Sequence, residues 1–335
     1  MNILIRVDAS EKIGSGHFFR CFLLAKSLKN NNNNIHFLSS NLNNEYKKKL
    51  IKENFFLHKL NNKKNSLKND INQTISKIKK INKDINLMIV DNYKINYFWE
   101  TKIKRYVKKI LVIDDFEKKH NCDFYLNYNK NKIKNFFLPK FCLKLVGPKY
   151  AILNPTYLKK DKKIKTIKKN IFIFMGGADR KNYTLRFIKH FKKSKFKNFI
   201  FNFVIGINNK KKKEITQLSK KVPNYKVFYN LKNLKNLMSY ASFAISNGGQ
   251  VIWELIFSKV PNVIFCKNNY KNNIVSKNKK KIGLDIFEIK NDKTFKVYLK
   301  KLDNLLINQK TNSINNFLID GKGLKRISKL VTENL

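Results

Sequence analysis

The sequence predicts an α/β fold made of two doubly wound, Rossmann-like domains that face each other. Apolar runs of strand length alternate with helical patterns in the first half, and the same alternation restarts in the second half. A lysine-dense segment with few apolar residues separates the two halves. We therefore predict a first domain at residues 1–155, a linker at 156–169 and a second domain at 170–335.

The predicted elements follow one another in the order typical of a parallel sheet covered by helices. In the first half we expect strands at 3–7, 35–38, 87–90, 110–113 and 143–146, and helices at 18–28, 45–52, 71–81 and 97–107. In the second half we expect strands at 170–175, 199–204, 226–229, 243–245, 262–265 and 284–289, with a helix from about residue 184.

The composition favours a cytoplasmic enzyme over a nucleic-acid-binding or membrane protein. The net charge is +50, but only six of the 72 basic residues are Arg, and Lys is spread along the chain with Asn, Ile and Phe, as in proteins of AT-rich genomes. Specific nucleic-acid sites use Arg for bidentate contacts, so we expect no specific nucleic-acid partner. No apolar run approaches about eighteen residues, and no signal-peptide pattern is present, so we expect no membrane partner.

The four cysteines are widely spaced, without a CxxC pair or a Cys/His spacing typical of metal ligands. We therefore predict reduced thiols, no metal site and no cofactor. We also expect the protein to be a monomer.

The loop after the first predicted strand has the composition of a catalytic site. Asp8, Gly14 and Gly16 punctuate it, and His17 stands at the N-terminus of the next helix. Open α/β sheets bind ligands at the carboxyl ends of their strands, where helix N-termini favour anions. Histidine suits acid–base catalysis near neutral pH, and Arg20 lies one helical turn later on the same face. Taken alone, this pattern is also compatible with a purely structural loop.

A second glycine-containing loop lies in the other half of the chain. Asn247, Gly248 and Gly249 follow a predicted strand and precede a helix, where glycine lets backbone N–H groups approach a diphosphate. Glu254, on that helix, is placed to accept hydrogen bonds from both hydroxyls of a ribose. Gly177 belongs to a similar turn after the first strand of this half. Each turn alone is equally compatible with an ordinary strand–helix connection.

Together these loops resemble the nucleotide-sugar glycosyltransferases of the GT-B type, whose C-terminal domain binds UDP. A narrower resemblance lies in R-x-D-x-S at residues 6–10 and G-x-G-H-x-x-R at residues 14–20. These look like the signature of the hydrolase family that removes UDP from UDP-2,4-diacetamido-2,4,6-trideoxy-β-L-altropyranose on the route to pseudaminic acid. Further segments fit in the same order, at residues 90–93, 113–115, 147–153, 176–179 and 320–323.

The resemblance implies a reaction and roles for individual residues. His17 is expected to be the general base for a water that attacks the anomeric carbon of a UDP-sugar, giving free sugar and UDP without a metal. The product would serve the modification of flagellin or another surface glycan. Tyr93 is expected to contact the substrate or to orient His17. Asp8 and Arg20 are expected to position His17 or to bind the sugar amides and phosphate.

Two segments depart from the family pattern. In the glycine turn before Glu254, this chain has Asn247 and Gln250 where the family often has smaller residues. Where the family usually has an Asn-Gln pair, this chain has Asn268 and Asn269 without the Gln, and we take Asn269 as the candidate substrate-binding residue. Two other functions stay open. A GT-B glycosyltransferase would use His17 to deprotonate an acceptor hydroxyl, and a polyanion-binding protein on an inactive enzyme fold would explain the charge. We interpret Asp114 and Asp115 as loop-ordering residues rather than metal ligands.

Overall fold

The computed structural model describes residues 1–10, 13–30, 32–61, 66–134, 137–159, 166–231, 233–266, 273–308 and 313–335. The chain divides into two compact units. The first contains Met1–Ile13, His17–Leu153 and Lys322–Leu335, and the second contains Gly14–Gly16 and Asn154–Gly321. The C-terminal segment thus groups with the first unit, whereas the sequence analysis assigned it to the second domain.

The first unit is built on a parallel sheet whose described strands have the order β3-β2-β1-β4-β5-β6-β7. Its strands are β1 (Asn2–Val7), β2 (Asn34–Ser39), β3 (Phe56–Lys59), β4 (Ile85–Asp91), β5 (Val107–Ile113), β6 (Phe124–Asn127) and β7 (Leu143–Val146). The helices between them are α1 (Gly16–Leu28), α2 (Asn44–Lys52), α3 (Leu67–Ile81) and α4 (Tyr97–Ile103).

The second unit contains a parallel sheet whose described strands have the order β10-β9-β8-β11-β12-β13. Its strands are β8 (Asn170–Phe174), β9 (Ile200–Ile205), β10 (Tyr225–Tyr229), β11 (Phe243–Ser246), β12 (Asn262–Cys266) and β13 (Asp285–Glu288). The helices of this unit are α5 (Tyr183–His190), α6 (Lys212–Lys220), α7 (Lys235–Tyr240), α8 (Val251–Phe257), α9 (Ile274–Lys277), α10 (Lys279–Ile282) and α11 (Asp292–Ile307).

Apolar runs account for the central strands. In β1, Ile3, Leu4, Ile5 and Val7 are all fully buried, as expected for a strand covered on both faces. The second unit has a core rich in phenylalanine, in which Phe187, for example, is fully buried. The predicted α/β class with parallel sheets is confirmed in both units.

The asparagine-rich composition supplies helix caps. The side chains of Asn43, Asn96 and Asn291 accept hydrogen bonds from backbone N–H groups in the first turns of α2, α4 and α11. An Asn side chain satisfies one of the N–H groups that a helix N-terminus leaves unpaired, and so fixes where the helix begins. Asn82 closes the C-terminus of α3 in the left-handed conformation, which Asn tolerates better than most residues.

Three elements differ from the prediction. Strand β3 is a short edge strand with two exposed residues, which weakens its apolar pattern, and β6 is a buried strand of four residues that the sequence analysis did not predict. The helix predicted at 97–107 ends at Ile103. A short 3-10 turn follows it, and β5 begins at Val107. The exposed side chain of Lys108, the second residue of β5, interrupts the apolar run by which the start of this strand would be recognised in the sequence.

The last helix, α12 (Gly323–Glu333), packs against the first unit near Pro148–Tyr150. A Cβ atom at Gly323 would lie 2.2 Å from the carbonyl oxygen of Ala151, so only glycine permits this approach. Arg326 Nη1 donates a hydrogen bond of 2.8 Å to the carbonyl of Lys149. Gly323 and Arg326 therefore hold α12 against the first unit.

The strand order reverses at the same point in both sheets. In the first unit, β2 and β3 lie on one side of β1, and β4 and the later strands lie on its other side. In the second unit, β8 and β11 are adjacent in the same way. Ligands of doubly wound sheets bind at the carboxyl ends of the strands at such a switch point. His17 follows β1, Tyr93 follows β4, and the two glycine turns follow β8 and β11. The topology therefore brings the candidate residues to the switch point of each unit.

Gly206 offers a test of the packing in the second unit. A Cβ atom there would lie 2.3 Å from Gly177 Cα and 2.4 Å from the Gly177 carbonyl oxygen. Gly206→Ala should therefore lower the free energy of unfolding by about 1–3 kcal/mol in urea denaturation, because the backbone must shift to relieve the overlap. Gly16→Ala is the control, since no described atom beyond the chain neighbours and the nearby helix backbone lies within 4 Å of a Cβ atom at Gly16. Equal stability of the two variants would contradict this packing.

Candidate active site

His17 is held by a buried carboxylate at the switch point of the first unit. Its Nδ1 lies 2.6 Å from Oδ1 of Asp91, the last residue of β4. Both side chains are buried, with Asp91 1% exposed and His17 8% exposed. A carboxylate this close fixes the imidazole tautomer in which Nδ1 carries the proton. His17 Nε2 then has a free lone pair, and it has no hydrogen-bond partner among the described residues.

Arg20 neutralises the same carboxylate. Its Nε and Nη2 donate to the two Asp91 oxygens at 2.6 and 2.7 Å, and its Nη1 donates to Asp115 at 3.0 Å and to the Tyr128 hydroxyl at 3.2 Å. Burial alone would raise the pKa of Asp91, but the guanidinium of Arg20 and the His17 ring hold this pKa well below its usual range. Asp91 is therefore ionised, and Arg20 is engaged within the site.

Tyr93 packs against the imidazole and is itself fixed. The ring centroids of Tyr93 and His17 are 4.4 Å apart at an interplanar angle of 81°. The Tyr93 hydroxyl donates a 2.6 Å hydrogen bond to Asp115 Oδ2, and Asn129 Nδ2 donates to Oδ1 of the same carboxylate at 2.7 Å. Burial and the neighbouring Asp115 raise the pKa of Tyr93, so its hydroxyl stays protonated. The ring is thus oriented beside His17.

Asp91 and Asp115 were not among the residues that the sequence singled out for the site. They lie more than 70 residues from Arg20 in sequence, and the sheet topology alone brings them together. Each carboxylate lies at the end of an apolar run, at the carboxyl end of β4 or shortly after β5. His17 likewise follows the carboxyl end of β1. A titratable residue just after a predicted strand is therefore the sequence signal that would have identified Asp91 and Asp115.

Asp8 lies in another cluster. Its carboxylate accepts hydrogen bonds from Ser39 Oγ at 2.9 Å, the Ser40 N–H at 2.8 Å and Asn92 Nδ2 at 2.9 Å, and it pairs with Arg6 Nη2 at 2.9 Å. Despite its burial, the Arg6 guanidinium keeps the pKa of Asp8 below its ordinary value. Asp8 thus ties the loops after β2 and β4 together, and its contact with a substrate stays a prediction.

Gly14 and Gly16, the two glycines before His17, differ in backbone conformation. Gly14 has φ +94°, in the left-handed region that favours glycine. Gly16 begins α1 without a positive φ, and among the described residues no atom beyond the chain neighbours and the nearby helix backbone lies within 4 Å of a Cβ atom at either glycine. Neither the backbone conformation nor the described surroundings therefore require glycine at position 16.

In the second unit, Asn247 joins the two glycine turns. Its Nδ2 donates to the Met175 carbonyl at 3.0 Å, and its Oδ1 accepts from the Gly249 N–H at 3.2 Å. Gly248, between them, has φ +72°. The sequence analysis expected the Gly249 N–H to face a diphosphate, whereas here it is paired with Asn247. Gly177 accepts a hydrogen bond from a neighbouring loop through its carbonyl oxygen.

Glu254 is half-buried on α8, with one oxygen engaged. Its Oε2 accepts a 3.1 Å hydrogen bond from the hydroxyl of buried Tyr157, and Oε1 has no partner among the described residues. Burial raises the pKa of Glu254 from 4.5 to about 7. Asn269, the remaining candidate, lies outside the described residues.

Asp114 accepts hydrogen bonds from the backbone N–H groups of Phe116 and Lys118, both at 2.9 Å, so it orders its own loop.

The described ranges contain no group of three or more His, Cys, Asp or Glu side chains that could hold a metal ion. Within those ranges there is also no helix of the length and apolarity that crossing a membrane requires.

The chain has relatives among known proteins. The UDP-2,4-diacetamido-2,4,6-trideoxy-beta-L-altropyranose hydrolase of Campylobacter jejuni is 28% identical over 264 residues, covering 77% of this chain and 89% of its own length. The resemblance to this hydrolase family is thereby confirmed. An uncharacterized protein of Methanocaldococcus jannaschii is 27% identical over 84% of this chain, and SpsG, a spore coat polysaccharide biosynthesis protein of Bacillus subtilis, is 23% identical over 56%. The matches span only 59% and 57% of those two proteins. No protein-family profile matches the chain.

Solved structures share the fold. The UDP-GlcNAc 2-epimerase of Neisseria meningitidis superposes with a TM-score of 0.65 at 13% identity over 100% of both chains. MurG of Acinetobacter baumannii gives a TM-score of 0.60 at 12% identity over 99% of this chain and 100% of its own. At such identities the likeness concerns the fold alone. It confirms the GT-B architecture that the sequence motifs predicted.

The Arg20–Asp91 pair yields a stability test. Asp91→Asn removes a buried negative charge and leaves the Arg20 guanidinium with Asp115 alone, which should lower the free energy of unfolding by about 2–3 kcal/mol at pH 7. Because the folded-state pKa of Asp91 is depressed, its contribution is present above the ordinary carboxylate pKa and is lost as the pH falls below about 4. The variant should lack this acid-sensitive component in urea unfolding.

Asp285→Asn is the matched control for this variant, because Asp285 is exposed on β13. Its effect should stay within about 0.5 kcal/mol. If Asp91→Asn and Asp285→Asn unfold alike across this pH range, the buried ion pair does not stabilise the first unit.

Proposed function

We propose that the protein hydrolyses a UDP-linked diacetamido-trideoxy sugar to free sugar and UDP, a step on the route to pseudaminic acid. The observation that carries this proposal is the His17–Asp91 pair, which leaves His17 Nε2 as a free base at the switch point of a parallel sheet. The similarity to the Campylobacter hydrolase over 77% of the chain supports the substrate class.

In the proposed reaction, His17 Nε2 takes a proton from a water whose oxygen attacks the anomeric carbon. The bond between that carbon and the diphosphate oxygen breaks, and its electron pair leaves with UDP. Attack opposite the leaving group inverts the anomeric centre. The imidazolium formed is stabilised by Asp91, which carries the compensating negative charge 2.6 Å from Nδ1.

Arg20 and Tyr93 are positioning residues in this scheme. Arg20 holds the Asp91 carboxylate through two hydrogen bonds, so that one oxygen stays directed at His17. Tyr93 supports the edge of the imidazole, and Asp115 fixes its hydroxyl. An imidazole restrained on two sides loses little rotational freedom when the water is activated, which favours the attacking geometry.

We assign the UDP moiety to the glycine turns after β8 and β11, with Gly177, Asn247, Gly248 and Gly249, and to Glu254. Asn247 then acts chiefly by shaping the turns, since both ends of its amide are engaged. Glu254 Oε1 is available to a ribose hydroxyl. Gly14 and Gly16 are kept as candidate substrate-binding residues, because no described atom beyond the chain neighbours and nearby helix backbone lies within 4 Å of a Cβ atom at either glycine. No step requires a metal.

The base is tested by UDP release from the UDP-sugar without any acceptor. His17→Asn should lower kcat by about 10²–10⁴-fold, the contribution of a positioned general base, while the affinity for UDP stays within about twofold. His58→Asn is the control, because His58 lies on edge strand β3 and pairs with His36. Wild-type rates should be the same with and without a strong chelator.

Three results would count against this scheme. Full activity of the His17 variant would remove His17 from the chemistry. UDP release that depends on an added acceptor would identify a GT-B glycosyltransferase. Activity that is lost in chelator and restored by Mg²⁺ or Mn²⁺ would require a metal.

The nucleotide assignment predicts a pH dependence of UDP binding. With a pKa of about 7, Glu254 is half ionised near pH 7. The ionised carboxylate accepts strong hydrogen bonds from ribose hydroxyls at one oxygen and from the Tyr157 hydroxyl at the other, whereas the protonated form accepts weaker ones. UDP should therefore bind about tenfold more tightly at pH 8 than at pH 6, measured by calorimetry. Tyr157→Phe removes a hydrogen bond that lowers the pKa of Glu254, so the transition should move to higher pH.

Glu254→Gln separates this titration from that of the UDP phosphate itself, which also occurs near pH 6. The variant should bind UDP more weakly at pH 8 and should retain only the phosphate titration. If the variant and the wild type show the same affinity at both pH values, the nucleotide binds elsewhere.

A further inference from the structure

The loop after β5 presents an aromatic side chain that the fold does not bury. Phe116 is 54% exposed, and Tyr93 beside it is 40% exposed. Their ring centroids are 4.7 Å apart at an interplanar angle of 74°. We call these two residues the aromatic wall. Edge-to-face pairs of this kind are stabilising, but burial would stabilise the Phe116 ring far more than this partial contact does.

The loop is fixed in the conformation that exposes Phe116. Asp114 accepts hydrogen bonds from the N–H groups of Phe116 and Lys118. Glu117 has φ +58°, which is unusual for a residue other than glycine, and its carboxylate pairs with Lys130 Nζ at 2.8 Å. Lys118 Nζ donates a 2.6 Å hydrogen bond to the carbonyl of Tyr93. Three separate interactions thus hold this loop around its exposed ring.

The aromatic wall begins at the proposed base. The ring centroids of His17 and Tyr93 are 4.4 Å apart, and Tyr93 also contacts Phe116, at 4.7 Å between centroids. The Tyr93 hydroxyl is engaged by Asp115, so Tyr93 offers its ring rather than a polar group. A substrate whose reacting carbon lies at His17 therefore has an apolar surface next to its sugar ring.

We propose that the aromatic wall, and Phe116 in particular, selects a sugar that carries apolar substituents: the methyl group of a 6-deoxy carbon and the methyl groups of acetamido substituents. This inference rests on the proposed function and specifies how the sugar is recognised. A phenyl ring packs well against methyl groups and has no hydrogen-bond partner for a hydroxyl group, so a hydroxyl placed against it loses its hydration without compensation. Phe116 is thus a specificity-determining residue.

The test measures binding, so that it does not depend on turnover. In a His17→Asn background, calorimetry compares the affinity for the UDP-diacetamido-trideoxy sugar with that for UDP. Adding Phe116→Ala should weaken binding of the UDP-sugar about tenfold and leave UDP binding within about twofold, because only the sugar contacts the aromatic wall. Phe116→Trp should retain most of the sugar affinity. With a 6-hydroxy analogue of the sugar, Phe116→Ala should have a smaller effect, because the analogue keeps the acetamido methyl groups but lacks the apolar C6 methyl group.

Phe141→Ala is the matched control, because Phe141 is 64% exposed but precedes β7, at the amino end of the same parallel sheet. It should leave both affinities unchanged. The proposal is overturned if Phe116→Ala binds the UDP-sugar as tightly as the parent, or if it weakens the deoxy sugar and its hydroxylated analogue equally. The proposed function is tested separately, by UDP release from the wild-type protein. If the wild type does not hydrolyse the UDP-sugar, the calorimetric binding data still decide whether Phe116 recognises the sugar.

Discussion

The active-site geometry depends on the burial of one charge, the Asp91 carboxylate at the end of β4. A carboxylate that is 1% exposed persists only when cations and hydrogen bonds replace its lost hydration. Arg20 supplies two hydrogen bonds and a full positive charge, and it can do so only if α1 lies against the end of β4. His17, one turn earlier on the same helix face, is then directed at the same carboxylate. Stabilising the Asp91 carboxylate and orienting His17, the proposed base, are therefore one structural requirement.

The sequence predicted the local part of this arrangement. His17 and Arg20 are three residues apart at a predicted helix N-terminus, so their shared face follows from helical periodicity alone. Asp91 and Asp115 complete the site from other strands, and their contacts depend on strand order, which the sequence pattern did not determine. The sequence also missed β3, whose first and last residues are exposed at the edge of the sheet, and β6, although strands of the same length such as β7 and β11 were predicted.

Polar residues in loops were harder to interpret than titratable residues at helix starts. Asp8 and Asn247 have the chemistry of ligand-binding side chains, yet both satisfy backbone N–H groups of nearby loops. Asp and Asn readily form such hydrogen bonds within turns, so their presence beside glycine does not distinguish a binding site from a well-ordered turn. The raised pKa of Glu254 could not be predicted either, because it depends on how the helix is buried.

The two units repeat one topology but differ in the charge at their switch points. In the first unit, Asp91 and Asp115 meet a single Arg20 and a histidine, so the cluster carries no excess of positive charge to attract a dianion. In the second unit, glycine turns and the amide of Asn247 occupy the corresponding strand ends. The turn after β8 also contains the buried carboxylate of Asp179, which accepts hydrogen bonds from the backbone N–H groups of Tyr183 and Thr184. A diphosphate is repelled by ionised carboxylates and is compatible with backbone N–H groups and neutral amides. The doubly wound fold is thus compatible with the two proposed roles, proton transfer in the first unit and nucleotide binding in the second, because glycines and Asn247 rather than ion-paired carboxylates form the turn after β11.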